Sequence, residues 1–146
     1  MAFRIKVVTI GAPDRWAKPA IEHWARRIGV FAALDFVHTR AKTPRKLDEA
    51  LRKQLDDSAI ALTRRGDMKT THQWAELLEE MKLANRNPTF LIGGADGLPA
   101  NIIDKCKRKI SLSQVTLQHD VALIVLLEQI FRALSINAGT PYHRGE

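Results

Sequence analysis

The sequence predicts a single α/β domain of three layers, in which helices cover both faces of a mostly parallel sheet of five to six strands. Strand-like apolar runs alternate five times with stretches that repeat at helical spacing, the pattern of β-α-β crossovers. The chain has 146 residues, of which 45% are hydrophobic and 27% charged, enough for one core and too few for two. We therefore treat residues 1–146 as one domain.

The first half of the chain predicts three strands separated by two helices. Alternating apolar residues before Gly11 form the first strand, and an apolar face that begins at Trp16 forms the helix after it. Pro13 suits the start of this helix and Gly29 its end. The pair then repeats as a strand at 34–38, a helix from Pro44 and a strand at 58–62.

The second half continues the alternation. Thr70 and Gln73 have capping-box spacing and predict the start of a third helix, which a turn at 85–88 ends. The remaining predicted elements are a buried strand at 89–92, a basic helix from Leu98 through Lys109, a strand at 112–117, and a last helix at 121–136 capped by Asp120.

Composition excludes several classes of protein. Cys106 is the single cysteine, so it forms no internal disulfide, and with five scattered histidines it gives no tetrahedral metal-ligand cluster. No apolar run approaches the roughly 20 residues that span a bilayer, and the run at 121–127 indicates core or a dimer face. We expect a soluble cytoplasmic protein that needs neither metal nor membrane.

The charge indicates the class of partner. Lys and Arg number 23 against 16 Asp and Glu, giving a formal charge of +7. Such an excess favours a polyanion, meaning RNA, DNA or the ribosome, although a basic surface that serves only solubility is an equal alternative.

Three segments are candidates for chemistry, and the first follows a buried strand, at whose carboxyl end α/β sheets bind ligands. Gly93 and Gly94 let the backbone approach a ligand, or form only a tight turn. Residues 111–119 alternate apolar and hydroxyl side chains, which suits an adenine pocket or an ordinary edge strand. The tail at 141–146 carries an aromatic ring, an imidazole and a guanidinium, or is simply disordered. No hydrolase or metalloenzyme motif is present.

Four motifs in order, FLIGGADGLP, SLSQVTLQH, LLEQIFRALSI and the terminal PYHRGE, resemble the RlmH family of SPOUT-class methyltransferases of large-subunit ribosomal RNA. The similarity is dense over about the last 60 residues and in register before them. The resemblance implies S-adenosylmethionine as donor, N3 of a pseudouridine in 23S rRNA as acceptor, a deep C-terminal trefoil knot and a homodimer acting on the assembled ribosome.

The resemblance also assigns site residues. Those implied to hold the cofactor, largely through backbone groups, are Leu62, Gly93, Leu112, Ser113, Gln114, Val115, Thr116 and Leu117. Those implied to face the RNA are Arg132, Tyr142, His143 and Arg144, with His119 close by.

The implied acceptor suggests roles for the RNA-facing group. The imide proton of a pseudouridine N3 must leave while the sulfonium methyl is held in line with the nitrogen. We expect His143 or a neighbouring group to assist deprotonation, Arg132 or Arg144 to stabilise the imide anion, and Tyr142 to position the base.

The chain departs from the family pattern at four positions. Thr63 replaces the usual Asp, Asp67 a common Lys, Gln118 the usual Pro, and Leu123 the usual Arg. The missing Asp and Arg are either a pair lost together or groups that aided binding. A non-catalytic ribosome- or RNA-binding homologue is therefore an alternative, while the charge disfavours a small-molecule methyltransferase of the same fold.

Overall fold

The computed structural model describes residues 2–145, so Met1 and Glu146, the last residue of the tail motif, lie outside the described residues. The five strands form one sheet in the order β2-β1-β4-β3-β5, and each neighbouring pair is parallel. The strands are β1 (Arg4–Ile10), β2 (Ala33–Thr39), β3 (Ala59–Met68), β4 (Thr89–Ile92) and β5 (Arg108–Ser111). The prediction of a mostly parallel sheet is confirmed, with five strands.

Helices cover both faces of the sheet, which confirms the three layers. The helices are α1 (Lys18–Ile28), α2 (Pro44–Arg52), α3 (Thr71–Leu83), α4 (Ala100–Lys105) and α5 (His119–Ala138). The larger core lies between the sheet and α1, α3 and α5, where Phe90 and Leu126 are fully buried. A smaller core lies on the opposite face against α2 and α4, around Leu51 and Ile102.

Local sequence signals place most element ends. The capping box of α3 forms as predicted, with the Thr70 hydroxyl and the Gln73 amide each accepting the other residue's backbone N–H. In α1 the prediction was wrong by one turn. The helix starts at Lys18 with Pro19 in its first turn, and Trp16 is 58% exposed outside it, because Pro19 supplies the fixed φ that suits a helix start.

The third strand is longer than predicted. It continues past residue 62 to Met68, with a register shift between Leu62 and Asp67 against β5. Gly66 permits the close approach of β3 to β5, since a Cβ there would lie 2.6 Å from the backbone N of Ile110. The segment around this glycine is therefore an irregular stretch of strand.

The fourth helix and fifth strand correct two predictions. The basic helix predicted to Lys109 ends at Lys105, and the next segment, Arg108–Ser111, is the edge strand β5. The predicted strand at 112–117 is instead a loop. Ile110 and Ser111 are buried in the ladder with β3, so burial of these two residues, and not the alternation after them, decides where the strand lies.

The last helix begins two residues earlier than predicted. Its N-cap is Gln118, whose side-chain oxygen accepts the backbone N–H groups of Asp120 and Val121 at 2.8 and 3.1 Å, in place of the predicted Asp120. Gly139 ends the helix in the left-handed conformation, with φ 73°.

By length and composition alone, α5 is long and apolar enough to cross a membrane, as a core helix can also be. It has 20 residues and a mean hydropathy of 1.6, and 44% of its apolar window is buried inside the fold. Leu123 and Leu127 face the core, as predicted for the run at 121–127. Burial of one face in the core is enough to explain why this helix is apolar.

Candidate functional site

A cavity of about 390 Å³ opens at the carboxyl ends of β3, β4 and β5, beside the start of α5. This volume is in the range of small-molecule sites. Four segments and Ile103 of α4 line it: residues 62–65 of β3, residues 92–98 from the end of β4 onward, the loop after β5, and α5 through His119 and Ala122. The position is the one at which parallel α/β sheets bind ligands.

Most residues that the sequence assigned to a cofactor line this cavity. They are Leu62, Gly93, Leu112, Ser113, Val115, Thr116 and Leu117. Gln114, the eighth, lies on the exposed side of the loop and is absent from the described lining. The two serines shape this loop, because Ser111 donates to the Ser113 carbonyl and the Ser113 hydroxyl accepts the Val115 N–H, both at 3.0 Å.

The glycine loop closes on itself at one wall of the cavity. Gly97, with φ 75°, donates its N–H to the Gly94 carbonyl at 3.0 Å. A Cβ on Gly93 would lie 2.4 Å from the carbonyl carbon of Gly97 and 2.5 Å from the nitrogen of Leu98. Gly93 is therefore required for the close approach of two backbone segments of this protein, and the left-handed turn is at Gly97.

The start of α5 brings together Asp14, His119 and Asp120, whose potential ligand atoms lie within 4.8 Å of one another. The buried Asp120 carboxylate accepts the Asp14 backbone N–H at 3.2 Å and lies 3.7 Å from the His119 Nε2. This group joins the β1–α1 loop to the positive end of the helix dipole. The expected absence of a metal stays a prediction.

A second group of polar residues forms where the tail folds back along α5. The Tyr142 hydroxyl donates to Glu128 Oε2 at 2.8 Å, and an Arg132 N–H donates to the same oxygen at 2.6 Å. A second Arg132 nitrogen lies 3.1 Å from His143 Nδ1. We call Glu128, Arg132, Tyr142 and His143 the tail cluster; Arg144 follows it as an exposed residue.

Aromatic packing holds the tail in this place. The Tyr142 ring stands edge to face against Phe131, with centroids 4.8 Å apart, and Trp24 of α1 lies 6.1 Å away. The Arg27 guanidinium lies 4.5 Å from the Phe131 centroid and 5.1 Å from that of Tyr142. Tyr142 is therefore packed against α1 and α5 and is part of the fold.

The tail cluster and the cavity are separate within one chain. None of the cluster residues is among the described lining of the cavity. Glu128 is six positions after Ala122, so it lies about 9 Å farther along the helix and about 120° around it. One chain therefore holds the two groups of predicted site residues apart.

Sequence reasoning missed three charged residues near these groups. Arg64 and Arg65 are exposed at the mouth of the cavity, directly after Thr63. Glu128 is the carboxylate that joins the tail cluster. Its spacing of four residues from Arg132 is that of a helical ion pair and could have identified it.

The four departures from the family pattern have distinct places. Thr63 lines the cavity, and Gln118 caps α5. Leu123 is 2% exposed in the larger core, where an unpaired arginine would be costly, and Asp67 is exposed on the irregular part of β3.

The tail cluster shifts the ionisation of its members. Burial alone would raise the pKa of Glu128, but the hydrogen bonds from Arg132 and Tyr142 outweigh it and hold that pKa below its usual value. Burial, followed by the Glu128 carboxylate, raises the pKa of the Tyr142 hydroxyl. Glu128 is therefore ionised and Tyr142 neutral at physiological pH.

These shifts predict an acid-sensitive contribution to stability. A lowered folded-state pKa stabilises the fold above the ordinary glutamate value of about 4.3, and this stabilisation is lost as pH falls through the folded-state value. We expect Glu128→Gln to lower the free energy of unfolding by about 1–2 kcal/mol at pH 7. Urea titration should find the difference shrinking below about pH 4. Glu76→Gln, at an exposed glutamate, is the control. A loss of stability in Glu128→Gln that is equal at pH 7 and below about pH 4 would contradict the lowered pKa of Glu128.

Comparisons with known proteins agree on one family. The sequence profile of the family described as Predicted SPOUT methyltransferase matches residues 3–143. The chain is 37% identical over 142 residues to the Ribosomal RNA large subunit methyltransferase H of Thermus thermophilus, covering 97% of this chain and 98% of that protein. The protein of the same name from Synechococcus sp. strain CC9605 is 35% identical over 144 residues, covering 97% and 96%.

Solved structures share the fold at low sequence identity. A probable methylase family protein of Haemophilus influenzae Rd KW20 aligns with a TM-score of 0.59 and 12% identity, covering 99% of this chain and 72% of that one. The SpoU methyltransferase AviRb of Streptomyces viridochromogenes, in complex with AdoMet, aligns with a TM-score of 0.56 and 13% identity, covering 97% and 60%. At these identities the structures show a common fold.

Proposed function

This chain belongs to the SPOUT methyltransferases and, within them, to the RlmH family, and we propose that it methylates large-subunit ribosomal RNA with S-adenosylmethionine as donor. The observation that carries the proposal is the end-to-end match to relatives named for that activity, in a chain whose cavity lies at the ligand-binding edge of its sheet. The charge of +7 suits an RNA substrate.

The cavity fits the proposed donor. Leu62, Leu112 and Leu117 give it apolar walls that suit an adenine ring, and the glycine loop and the loop after β5 offer backbone groups to the polar atoms. S-adenosylmethionine supplies a methyl group activated by a sulfonium charge. The residues of the chain then have to bind it, exclude water and orient the acceptor.

We propose N3 of a pseudouridine as the acceptor atom, with Arg132, Tyr142, His143 and Arg144 facing the RNA. Arg132 and the exposed Arg144 offer positive charge to phosphates or to an imide anion, and Tyr142, held by its ring packing, positions the tail. Arg64 and Arg65 add positive charge at the cavity mouth. The ribosomal acceptor would place the protein in the cytoplasm.

We also propose that the active form is a homodimer in which the tail of one copy serves the cavity of the other. The separation of the tail cluster from the cavity within one chain supports this arrangement. The proposed trefoil knot is supported by the path after β5, where the loop at 112–117 lies with the ends of β3 and β4 around one cavity before the chain enters α5.

The test is transfer of labelled methyl from S-adenosylmethionine to assembled ribosomes that lack this modification, with naked 23S RNA alongside. We expect label on the ribosome, identified by mass spectrometry as N3-methylpseudouridine. Label in a different nucleoside would overturn the acceptor and keep the enzyme. Neither transfer nor cofactor binding would leave a non-catalytic RNA-binding homologue as the function.

A further inference from the structure

The contact between Arg132 and His143 fixes the hydrogen on the imidazole. The two nitrogens lie 3.1 Å apart, Arg132 Nη1 against His143 Nδ1. A guanidinium only donates hydrogen bonds, so Nδ1 has to be the acceptor. With Nδ1 as the acceptor, a ring hydrogen is on Nε2.

Glu128 holds the arginine in this orientation. Its Oε2 accepts from Arg132 Nη2 at 2.6 Å, and its Oε1 lies 3.4 Å from Arg132 Nε, so the guanidinium is gripped along one edge. The remaining nitrogen, Nη1, then points its hydrogen at His143. The Tyr142 hydroxyl binds the same carboxylate and anchors the tail one residue before the imidazole.

The Nε2–H of His143 is left without a partner. Within residues 2–145 it is the buried side-chain nitrogen or oxygen for which no hydrogen bond is formed. The His72 ring on α3 lies edge to face at 5.3 Å, and His72 is exposed. A buried donor without an acceptor is costly, and such groups concentrate at functional sites.

We propose that His143 acts as a neutral hydrogen-bond donor through Nε2 to a carbonyl oxygen beside the methylated imide nitrogen, and that it is not the base that removes the proton. The inference rests on the proposed methyl transfer and replaces the base role that the sequence suggested. Glu128 is the positioning residue, because it acts through Arg132.

The step balances without a base from the protein. The N3 proton passes to hydroxide or a buffer base, and its electron pair spreads onto the flanking carbonyl oxygens, where a donated N–H stabilises it. The nitrogen then forms a bond to the methyl carbon as the carbon–sulfur bond breaks, and sulfur keeps that electron pair. Arg132 donates toward Nδ1, so Nε2 is the ring nitrogen left to donate to the carbonyl oxygen.

Three substitutions of His143 distinguish a hydrogen-bond donor from a catalytic base. The Gln amide nitrogen reaches the place of Nε2, while Asn reaches only that of Nδ1 and can accept from Arg132. We expect His143→Gln to keep single-turnover transfer within about tenfold of the unaltered chain, and His143→Asn and His143→Ala to lose about 100-fold or more. His23→Gln, at an exposed histidine of α1, controls for the change of residue type.

Equal loss in the Gln and Ala variants would overturn the proposal, since an amide cannot act as a base. The pH dependence is a second readout. His143→Gln should keep the shape of the unaltered chain's rate profile, whereas a catalytic base would take one limb of that profile with it.

The tautomer is measurable without activity. In chain labelled with ¹⁵N-histidine, two-bond ¹⁵N–¹H spectra at pH 7.5 should show His143 with hydrogen on Nε2, assigned by its absence in His143→Gln. Glu128→Gln should weaken this preference because it frees Arg132. Hydrogen on Nδ1, or an imidazolium, would overturn the proposal even if methyl transfer is active. Absent transfer in the unaltered chain would instead refute the proposed function.

Discussion

A chain that ends at Thr140 should bind S-adenosylmethionine as tightly as the full chain and lose about 1,000-fold or more in methyl transfer. No residue beyond Thr140 is among the described lining of the cavity, so cofactor binding has no reason to change. The truncation removes the proposed donor His143 and the cation Arg144, and each lost donor to a developing charge costs about 100- to 1,000-fold. Calorimetry with S-adenosylmethionine and single-turnover transfer to ribosomes would measure the two effects.

Truncation also uncovers Phe131 and Trp24, so a folding control is needed. Tyr142→Phe provides it, because the ring packing stays and only the hydroxyl bond to Glu128 is lost. Both variants should keep the circular dichroism spectrum of the full chain. A truncated chain that transfers methyl at the normal rate would remove the tail from the proposed site.

The proposed exchange of tails in a dimer follows from the same truncation. Mixed dimers of the truncated chain with a chain whose cavity is disabled should recover one working site, built from the cavity of the first and the tail of the second. Recovery near half of the unaltered activity per dimer is the expected result. Without recovery, tail and cavity would have to act within one chain.

The second large effect is expected at Gly93. In Gly93→Ala the new methyl group would lie 2.4 Å from the carbonyl carbon of Gly97, so the loop after β4 has to open. Overpacking of this kind costs about 1–3 kcal/mol, and at the upper end the affinity for S-adenosylmethionine falls about 100-fold. The same variant disables the cavity in the mixed dimers.

The neighbouring glycine offers a matched control. A Cβ on Gly94 would lie 3.5 Å from a side-chain carbon of Ile10, an ordinary contact distance. Gly94→Ala should therefore weaken binding far less than Gly93→Ala, as measured by calorimetry on both. Equal losses would show that glycine is needed at Gly93 because the cofactor contacts it, and not because the backbone of Gly97 and Leu98 lies so close.

Local signals in the sequence were enough to predict the helices and strands whose ends depend on residues close by in the chain. The capping box at Thr70 and the apolar run at 89–92 each identified an element correctly. The segment from Lys105 to Leu117 was assigned wrongly, because its basic helix-like pattern continues into a strand defined only by pairing with β3. Pairing between distant segments leaves no local pattern to read.

The candidate site divides in the same way. The motifs identified the glycine loop and the loop after β5, which the fold brings to one cavity. They also identified Arg132 and the tail, but gave no sign that Glu128 joins them or that Arg132 lies within hydrogen-bond distance of His143 Nδ1. Whether such contacts form depends on differences of a few tenths of an ångström in the distance between two atoms.

By itself, the sequence determined the fold class, the family and the residue types available for chemistry, since these depend on periodicity, charge and ordered motifs. Only the tertiary structure decided which of those residues meet. It placed the cavity at the ends of β3, β4 and β5 and held the tail cluster away from it on α5. The physical reason is that packing of α5 and pairing of β5 set these positions, and both join residues far apart in the chain.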